Sequence, residues 1–465
     1  MSLTVFNTLS HRKETFTPIN PPAVGLYTCG PTVYDYAHLG NFRSYVAEDL
    51  IKRYLAYRGF QVRHVMNITD IDDKTIRKAR EENQPLNAVT ERYIQAFHQD
   101  MKTLNILPAD IFPKATEHIP QMQAMVDTLV QRGHAYLQED SVYFRIASFP
   151  GYGRLSNLDP DSLQSGRSVD SDEYDKENVR DFVLWKGQRP GEPAWEYRLG
   201  KGRPGWHLEC SAMSMKYLGN HFDIHMGGVD NIFPHHENEI AQAECSTGEA
   251  FVNYWLHVQH LIVDGEKMSK SLGNFHTLRD LVERGHNPLS IRYLLLSTHY
   301  RKLLNFTFSA LEQADRARQR IQDFLFGLTS RDFPQGEGTE ITAEILEWEK
   351  RFREQMDDDF NISGALGVLF EFIHAINRRL DNLHDRDAKN ARDLVARIDS
   401  VLGIVQKEAS DSLSPDLDTL ILEREEARAR KDFQRADAIR DQLQKKGIQL
   451  LDTPDGVKWK VIEPA

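Results

Sequence analysis

The stretch Leu26–Asn41, LYTCGPTVYDYAHLGN, restricts the fold more than any other part of the chain. Val24, Leu26 and Tyr27 supply the apolar positions of a strand, Gly30-Pro31 interrupts it, and His38-Leu39-Gly40-Asn41 leads into a helix. Phe42, Tyr45, Val46, Leu50, Tyr54 and Leu55 fall on one face of that helix. FQVRHVMN over 60–67 reads as a second strand. Strand, helix and strand in this order form a right-handed parallel crossover, the seed of a doubly wound nucleotide-binding sheet. A loop that ends at a helix N-terminus also offers backbone N–H groups to a phosphate. The His-x-Gly turn therefore reads either as a nucleotide contact or as an ordinary turn.

A chain of 465 residues is too long for one core, and about three or four domains are expected. The fold class expected is α/β, with a doubly wound, Rossmann-like catalytic domain over 1–114 and 206–265 interrupted by an inserted segment, 115–205. A connecting domain (266–308), an α-helical bundle (309–406) and a small α+β domain (407–465) are expected to follow. The carboxylates of Thr69-Asp70-Ile71-Asp72-Asp73-Lys74 lie at a strand end, as a site or as helix capping. AYLQEDSVYFRI (135–146) reads as a hairpin, and 150–205 as largely loops around one packed strand at Asp181–Lys186. The core resumes with a helix over 204–218, a strand over 221–230 and a helix started by Pro234. A single strand is expected over 255–265, before the loop Lys267-Met268-Ser269-Lys270-Ser271. Beyond 288 the three-four spacing of Leu366, Leu369, Phe370, Ile373, Ile376 and Leu380 marks a bundle helix. A linker (407–418), one charged helix (419–446) and a hairpin turning at Asp455-Gly456 end the chain.

Three cysteines at 29, 210 and 245 form no disulfide framework, which leaves metal or thiol roles. His235 and Glu239 are spaced i,i+4 and project from one helix face. With Cys29 and Cys210, each at an element's end, they make a four-ligand zinc set of two thiolates, an imidazole and a carboxylate. The bland alternative is a surface His–Glu pair and two cysteines acting as small hydrophobes. His207, His225 and His236 remain rival ligands. Cys245 falls about 280° round the helix from His235 and suits the bland reading. No apolar run is long enough to span a membrane, and the N-terminus, MSLTVFNTLSHRKE, lacks the apolar stretch of a signal peptide, so a cytoplasmic location is expected. The net charge of −12 argues against indiscriminate nucleic-acid binding while allowing a local basic groove.

The ordered motifs CGPTVYD from Cys29, HLGN, NITDIDDK, GWHLECSAM, GGVD, FPHHENE and KMSKS strongly resemble cysteinyl-tRNA synthetase, a class I aminoacyl-tRNA synthetase family, over essentially the whole chain. One departure stands out. The family's usual last histidine of the first signature is Asn41 here, which can donate to a phosphate but carries no charge.

The resemblance implies a ligase that activates L-cysteine with ATP and Mg²⁺, releases pyrophosphate, and passes the cysteinyl group to the terminal ribose of tRNA(Cys) with release of AMP. It implies one Zn²⁺ per chain on Cys29, Cys210, His235 and Glu239. His38 and Asn41, with Gly40 between them, would face the ATP phosphates, and Gly228 and Asp230 would hold the adenosine. Lys267 and Lys270 would close over the triphosphate, with Lys270 in direct contact. Gly30, Thr69 and Trp206 are implied as substrate contacts, with no membrane partner and a monomer expected.

Two alternatives stand beside this reading. One is the cysteine ligase of mycothiol synthesis, which transfers activated cysteine to an amino sugar and lacks the C-terminal portion that this chain carries. The other is a non-catalytic zinc RNA-binding protein, which would leave the signature lysines idle. In the C-terminal portion Arg424, Arg428, Arg430, Lys431 and Arg435 read as phosphate contacts or as a solvated helix. Trp459 reads as a base-stacking platform or as hairpin core.

Overall fold

A computed structural model of the chain describes residues 2–158, 181–269, 272–336, 340–406, 415–445, 448–453 and 456–461. A short hairpin, β1 (Thr4–Asn7) and β2 (Arg12–Thr15), precedes the unit that organises the molecule: β3 (Ala23–Thr28), α1 (Leu39–Tyr57) and β4 (Gln61–Met66). β3 and β4 pair in parallel, with Leu26 opposite His64. Helices α2 (Asp73–Glu81), α3 (Leu86–Thr103) and α4 (Ile119–Gln131) follow.

The hairpin read at 135–146 and the strand read at Asp181–Lys186 are both present, and one further strand, Gly202–Pro204, lies in the stretch read as largely loops. β5 (Ala135–Gln138), β6 (Ser141–Phe144), β7 (Phe182–Gly187) and β8 (Gly202–Pro204) form one antiparallel sheet. Its strands are short, and the long polar stretch between β6 and β7 masks their pairing in the sequence.

The parallel sheet resumes through α5 (Trp206–Leu218), β9 (Phe222–Gly228), α6 (Glu237–Thr247) and β10 (Val252–Val258). Among the described residues its order is β10-β9-β3-β4, parallel throughout. The chain winds outward in both directions from the β3–β9 pair. That pair is the topological switch point, and ligands bind beyond the carboxyl ends of such strands. Cys29 lies immediately past β3, and Gly228 closes β9.

Two boundaries differ from the sequence expectation here. Pro234 sits within a wide helical turn, Ile232–His236, and α6 proper starts only at Glu237 because Phe233 keeps extended dihedrals (φ −136°, ψ 131°). The strand expected over 255–265 is two strands. β10 ends at Val258, Gln259 N–H donates to the Tyr300 carbonyl, and β11 (Leu261–Val263) joins a second sheet with β12 (Glu266–Lys267). After α7 (Leu278–Glu283) and α8 (Pro288–Ser297), β13 (Leu304–Phe306) completes that sheet in parallel with β11. Polar residues (His257, Gln259 and His260) recur up to and across the break, so the pattern does not reveal that the two halves serve different partners.

The helical region comprises α9 (Phe308–Thr329), α10 (Glu340–Asp357), α11 (Ile362–Asn377) and α12 (Asp385–Leu402). It shares one continuous apolar core with α1. That helix is buried on nearly all sides, so its Arg43, Asp49 and Arg53 need internal partners. Arg43 donates to the Leu295, Thr298 and His299 carbonyls at the end of α8. Arg53 pairs with Asp49 at 2.8 Å and donates to the Ser400 carbonyl of α12.

The charged helix expected over 419–446 is also two elements, α13 (Pro415–Ala429) and α14 (Phe433–Lys445). Lys431 takes a left-handed conformation (φ 65°), and Asp432 caps α14 by accepting from Arg435 N–H. β14 (Ile448–Thr453) and β15 (Gly456–Val461) form the terminal hairpin, with Trp459 in register with Leu450. Asp455 of the expected turn lies outside the described residues.

Candidate active site

A cavity of about 690 Å³ opens at the carboxyl ends of β3 and β9. Cys29, Gly30, His38, Gly40, Asn41, Trp206, Cys210, Gly228, Asp230, His235 and Lys267 all line it. Lys270 lies outside the described residues. Thr69 is buried just behind the wall, where its hydroxyl donates to Glu209 and accepts from Asn67.

Two glycines stand where neighbouring atoms approach too closely for a side chain, backbone at Gly30 and a ring at Gly40. A Cβ on Gly30 would lie 1.7 Å from the Asn67 carbonyl oxygen, and Gly30 N–H donates to the Asn67 side chain. A Cβ on Gly40 would press on the His38 ring at 2.9 Å. His38 and Asn41 cap α1 reciprocally. Asn41 N–H donates to His38 Nδ1 at 3.3 Å, and His38 N–H donates to Asn41 Oδ1 at 3.0 Å. Capping thus occupies the Asn41 carbonyl and leaves its NH₂ group as the donor.

The end of the cavity that carries the two cysteines is lined by largely buried side chains. Ligand atoms of Cys29, Cys210, His235 and Glu239 lie within 4.8 Å of one another, as do those of Cys29, His225, His236 and Glu239. The cavity wall separates the two sets, since Cys29, Cys210 and His235 face the cavity whereas His225 and His236 do not. The first set therefore has three members on the cavity wall and the second only Cys29, which favours the first for a metal that meets a ligand there.

Its side chains are held from behind, as good metal ligands are. His207 Nδ1 meets His235 Nδ1 at 2.9 Å, which leaves His235 Nε2 turned to Glu239 Oε1 at 3.0 Å. His225 Nε2 holds the other Glu239 oxygen at 2.9 Å. Trp206 stacks on the His235 ring, with centroids 4.1 Å apart. Sequence spacing missed this second layer because it joins β9, α5 and the turn before α6.

Without a cation the cluster balances its own charge. Burial pushes the Glu239 carboxyl up, but His225 and His235 outweigh it and hold it at about 2. Burial opposes the His235 cation, yet Glu239 and Cys210 raise it to about 10. The hydrogen bond between the thiols raises Cys29 well above the ordinary thiol range. Burial also raises the Cys210 thiol, but the bond from Cys29 and the neighbouring His235 prevail and lower it. Two thiols, one imidazole and one carboxylate fit a zinc-type cation, whose binding would displace these protons. Burial lowers His207, His236 and His257, which favours their neutral forms.

One buried group has no such provision. Glu48, two turns into α1, is 1% exposed and borders the cavity, and among the described residues neither carboxylate oxygen has a well-formed hydrogen bond, the Thr28 hydroxyl making only a weak approach. Burial pushes its carboxyl to about 8, with only the Thr28 hydroxyl opposing.

The parallel sheet, the signature turn at the start of α1, the lysine loop after β11 and the helical region together define the class I aminoacyl-tRNA synthetase architecture. Residues 15–316 match the tRNA synthetases class I (C) catalytic domain, 351–406 the DALR domain, and 410–459 the cysteinyl-tRNA ligase anticodon binding domain. A solved Mycobacterium tuberculosis methionyl-tRNA synthetase in complex with methionyl-adenylate shares the fold, with a TM-score of 0.57, 17% identity, and 82% of this chain and 89% of that one covered.

The chain belongs to the cysteinyl-tRNA ligase family. It is 49% identical to the cysteine–tRNA ligase of Brachyspira hyodysenteriae, over 98% of each chain. It is 50% identical to that of Chlamydia caviae, again over 98% of each. Among the described residues no helix is long and apolar enough to cross a membrane.

Proposed function

We propose that this chain attaches L-cysteine to tRNA(Cys) at the expense of ATP, with zinc held by Cys29, Cys210, His235 and Glu239. The observation that carries the zinc assignment is the buried two-thiol, imidazole and carboxylate set on the wall of the cavity that also holds the start of α1.

A carboxylate oxygen of cysteine attacks the α-phosphorus of ATP. The bond to the bridging oxygen breaks, and pyrophosphate leaves with the electron pair. The nucleophile is already ionised at neutral pH, so no protein base is needed. The task of the protein is alignment and charge neutralisation. The α1 N-terminus with His38 and the Asn41 NH₂ group supplies donors on one side. Lys267, the last residue of β12, and Lys270 of the same sequence motif would supply cations beside Mg²⁺ carried by the nucleotide. Gly228 and Asp230, at the end of β9, receive the adenosine.

Zinc serves selection. Size alone separates cysteine from serine poorly, whereas a bound zinc would take a thiolate as ligand far more readily than a neutral hydroxyl. Trp206, stacked on His235, walls off the side-chain end of the pocket.

The test is cysteine loading of bulk tRNA by the purified protein with ATP and Mg²⁺, with serine as competitor. Cysteine loading at full rate in excess serine is the expected result. Equal loading of both amino acids would remove the selective role of the metal. No loading, with cysteine-dependent pyrophosphate exchange retained, would move the acceptor from tRNA to a small amine.

A further inference from the structure

Tyr27, the fifth residue of β3, is fully buried beneath the thiol cluster. It lies two residues before Cys29, whose N–H still donates to the Met226 carbonyl of β9, so the chain stays extended between them. Alternate residues of an extended chain leave the sheet on the same face. Across the sheet Tyr27 is in register with His225, and the two rings stand 5.0 Å apart. Tyr27 and Cys210 share one buried apolar cluster, against which Cys29 packs. Among the described residues the Tyr27 hydroxyl has no well-formed hydrogen bond, the Cys210 thiol making only a weak approach.

A hydroxyl withdrawn from water without a hydrogen bond is destabilising. Ring volume alone would be supplied as well by phenylalanine, the residue type of Phe222, whose ring lies 6.4 Å from that of Tyr27. The hydroxyl therefore needs an acceptor, and the neighbouring groups are already engaged. The Glu239 oxygens meet His225 and His235, and Cys29 Sγ meets His236 Nε2 at 3.2 Å. Cys210 is left. A neutral thiol is a weak acceptor, whereas the sulfur of a metal-bound cysteine is an anion, and hydrogen bonds to anions are the shorter and stronger kind.

We propose that Tyr27 is a positioning residue for the metal, its hydroxyl donating to the Cys210 sulfur once that sulfur is a ligand. This inference rests on the metal-site assignment given above. The bond would fix the Cys210 side chain and draw electron density from its sulfur. The cation would then keep more of its charge for a further ligand, the substrate thiolate.

The test uses Tyr27→Phe, which removes the hydroxyl and keeps the ring. The full-length protein is stripped of metal with a chelator and reloaded with Co²⁺ as a spectroscopic stand-in for zinc. Competition with the chelator shows metal affinity lowered by about tenfold or more, the scale of losing a group that supports a ligand. The sulfur-to-cobalt charge-transfer band moves to longer wavelength, because a thiolate without its hydrogen bond gives up an electron more easily. Phe222→Leu, a packing change beside the same ring, lowers the melting temperature and leaves the band in place. Unchanged affinity in Tyr27→Phe would overturn the assignment. So would a fall in affinity with the band unmoved, or a band that moves equally in both variants, since either makes Tyr27 a packing residue. Failure of the unsubstituted protein to develop a thiolate band with Co²⁺ would instead overturn the metal assignment itself, so the two failures are distinguishable.

Discussion

The two ends of the catalytic cavity differ in how they are held. At the cysteine end Cys210, His235 and Glu239 are buried, and His207 and His225 fix the last two from behind. At the phosphate end His38, Gly40 and Asn41 are half-buried, while Asp230 and Lys267 are exposed. The difference follows from the tasks. Telling a thiol from a hydroxyl requires donors set before the substrate arrives, since any rearrangement on binding would spend the discriminating energy. Stabilising a triphosphate that becomes pyrophosphate requires cations able to close and release.

Damage to the rigid end has the largest expected effect. Cys210→Ala removes one metal ligand and leaves Cys29, His235 and Glu239 as an incomplete set. Metal affinity falls by more than about 100-fold, beyond what loss of a supporting residue costs, and cysteine-dependent pyrophosphate exchange is lost with it. Elemental analysis of the purified variant checks this, and retention of a full equivalent of zinc would sink the ligand assignment. The helical region should stay folded, since its core is continuous with α1 rather than with the thiol cluster.

Damage to the open end should behave differently. His38→Ala removes one phosphate-facing group, with a loss of roughly 10²–10³ in exchange rate and unaltered cysteine affinity by calorimetry in the absence of ATP. If cysteine affinity collapsed as well, the two ends would not be separable and the contrast drawn here would fail.

The same contrast explains what was legible in the chain. The β3–α1–β4 unit was readable because its alternation and three-four spacing are local properties. The i,i+4 spacing of His235 and Glu239 nominated two ligands, but choosing Cys210 over His225 and His236 depends on which side chains face the cavity. That is a property of the sheet, not of any window of sequence. The break between β10 and β11 falls at Gln259-His260, a polar pair that a single strand could also carry, so the change of partner strand was hidden. The break between α13 and α14 was hidden by unbroken charge, and only Asp432, an N-cap residue type, signalled it. Glu48 was missed although Asn41, Ser44, Tyr45 and Glu48 recur on one helix face and all line the cavity. A carboxylate in helical register with Asn41 and Ser44, on the face that begins at the signature turn, was the available clue.

Glu48 offers a finer probe, because it lies near the rigid end without being a ligand. Its carboxyl is raised from 4.5 to about 8 in the folded chain, so between these values the folded protein binds a proton that the unfolded chain has lost. The penalty is absent below the lower value, grows as pH rises, and levels off above the higher one. Replacement by glutamine removes this dependence. Urea unfolding should find Glu48→Gln gaining on the unsubstituted protein from pH 5 to pH 8, by roughly 3–5 kcal/mol. A difference independent of pH would mean that Glu48 ionises in the folded state as an ordinary carboxylate does.

The smallest expected effect, at Asn41, is the most discriminating for the open end. Asn41 Oδ1 caps α1, which leaves its NH₂ group for the proposed phosphate contact. Asn41→Ala loses both, with a cost of about 1 kcal/mol in stability and a modest fall in rate. Asn41→Asp keeps the accepting oxygen and the cap, and adds the macrodipole's preference for a negative charge at a helix start, but it replaces the donor by an anion. If Asn41 only caps, the aspartate variant should be as stable and as active as the parent. If it faces the phosphates, the aspartate variant should be the more stable of the two and yet the slower in pyrophosphate exchange. Stability and rate moving in opposite directions would assign the two halves of one amide to the two tasks, and parallel changes in both would reduce Asn41 to a capping residue.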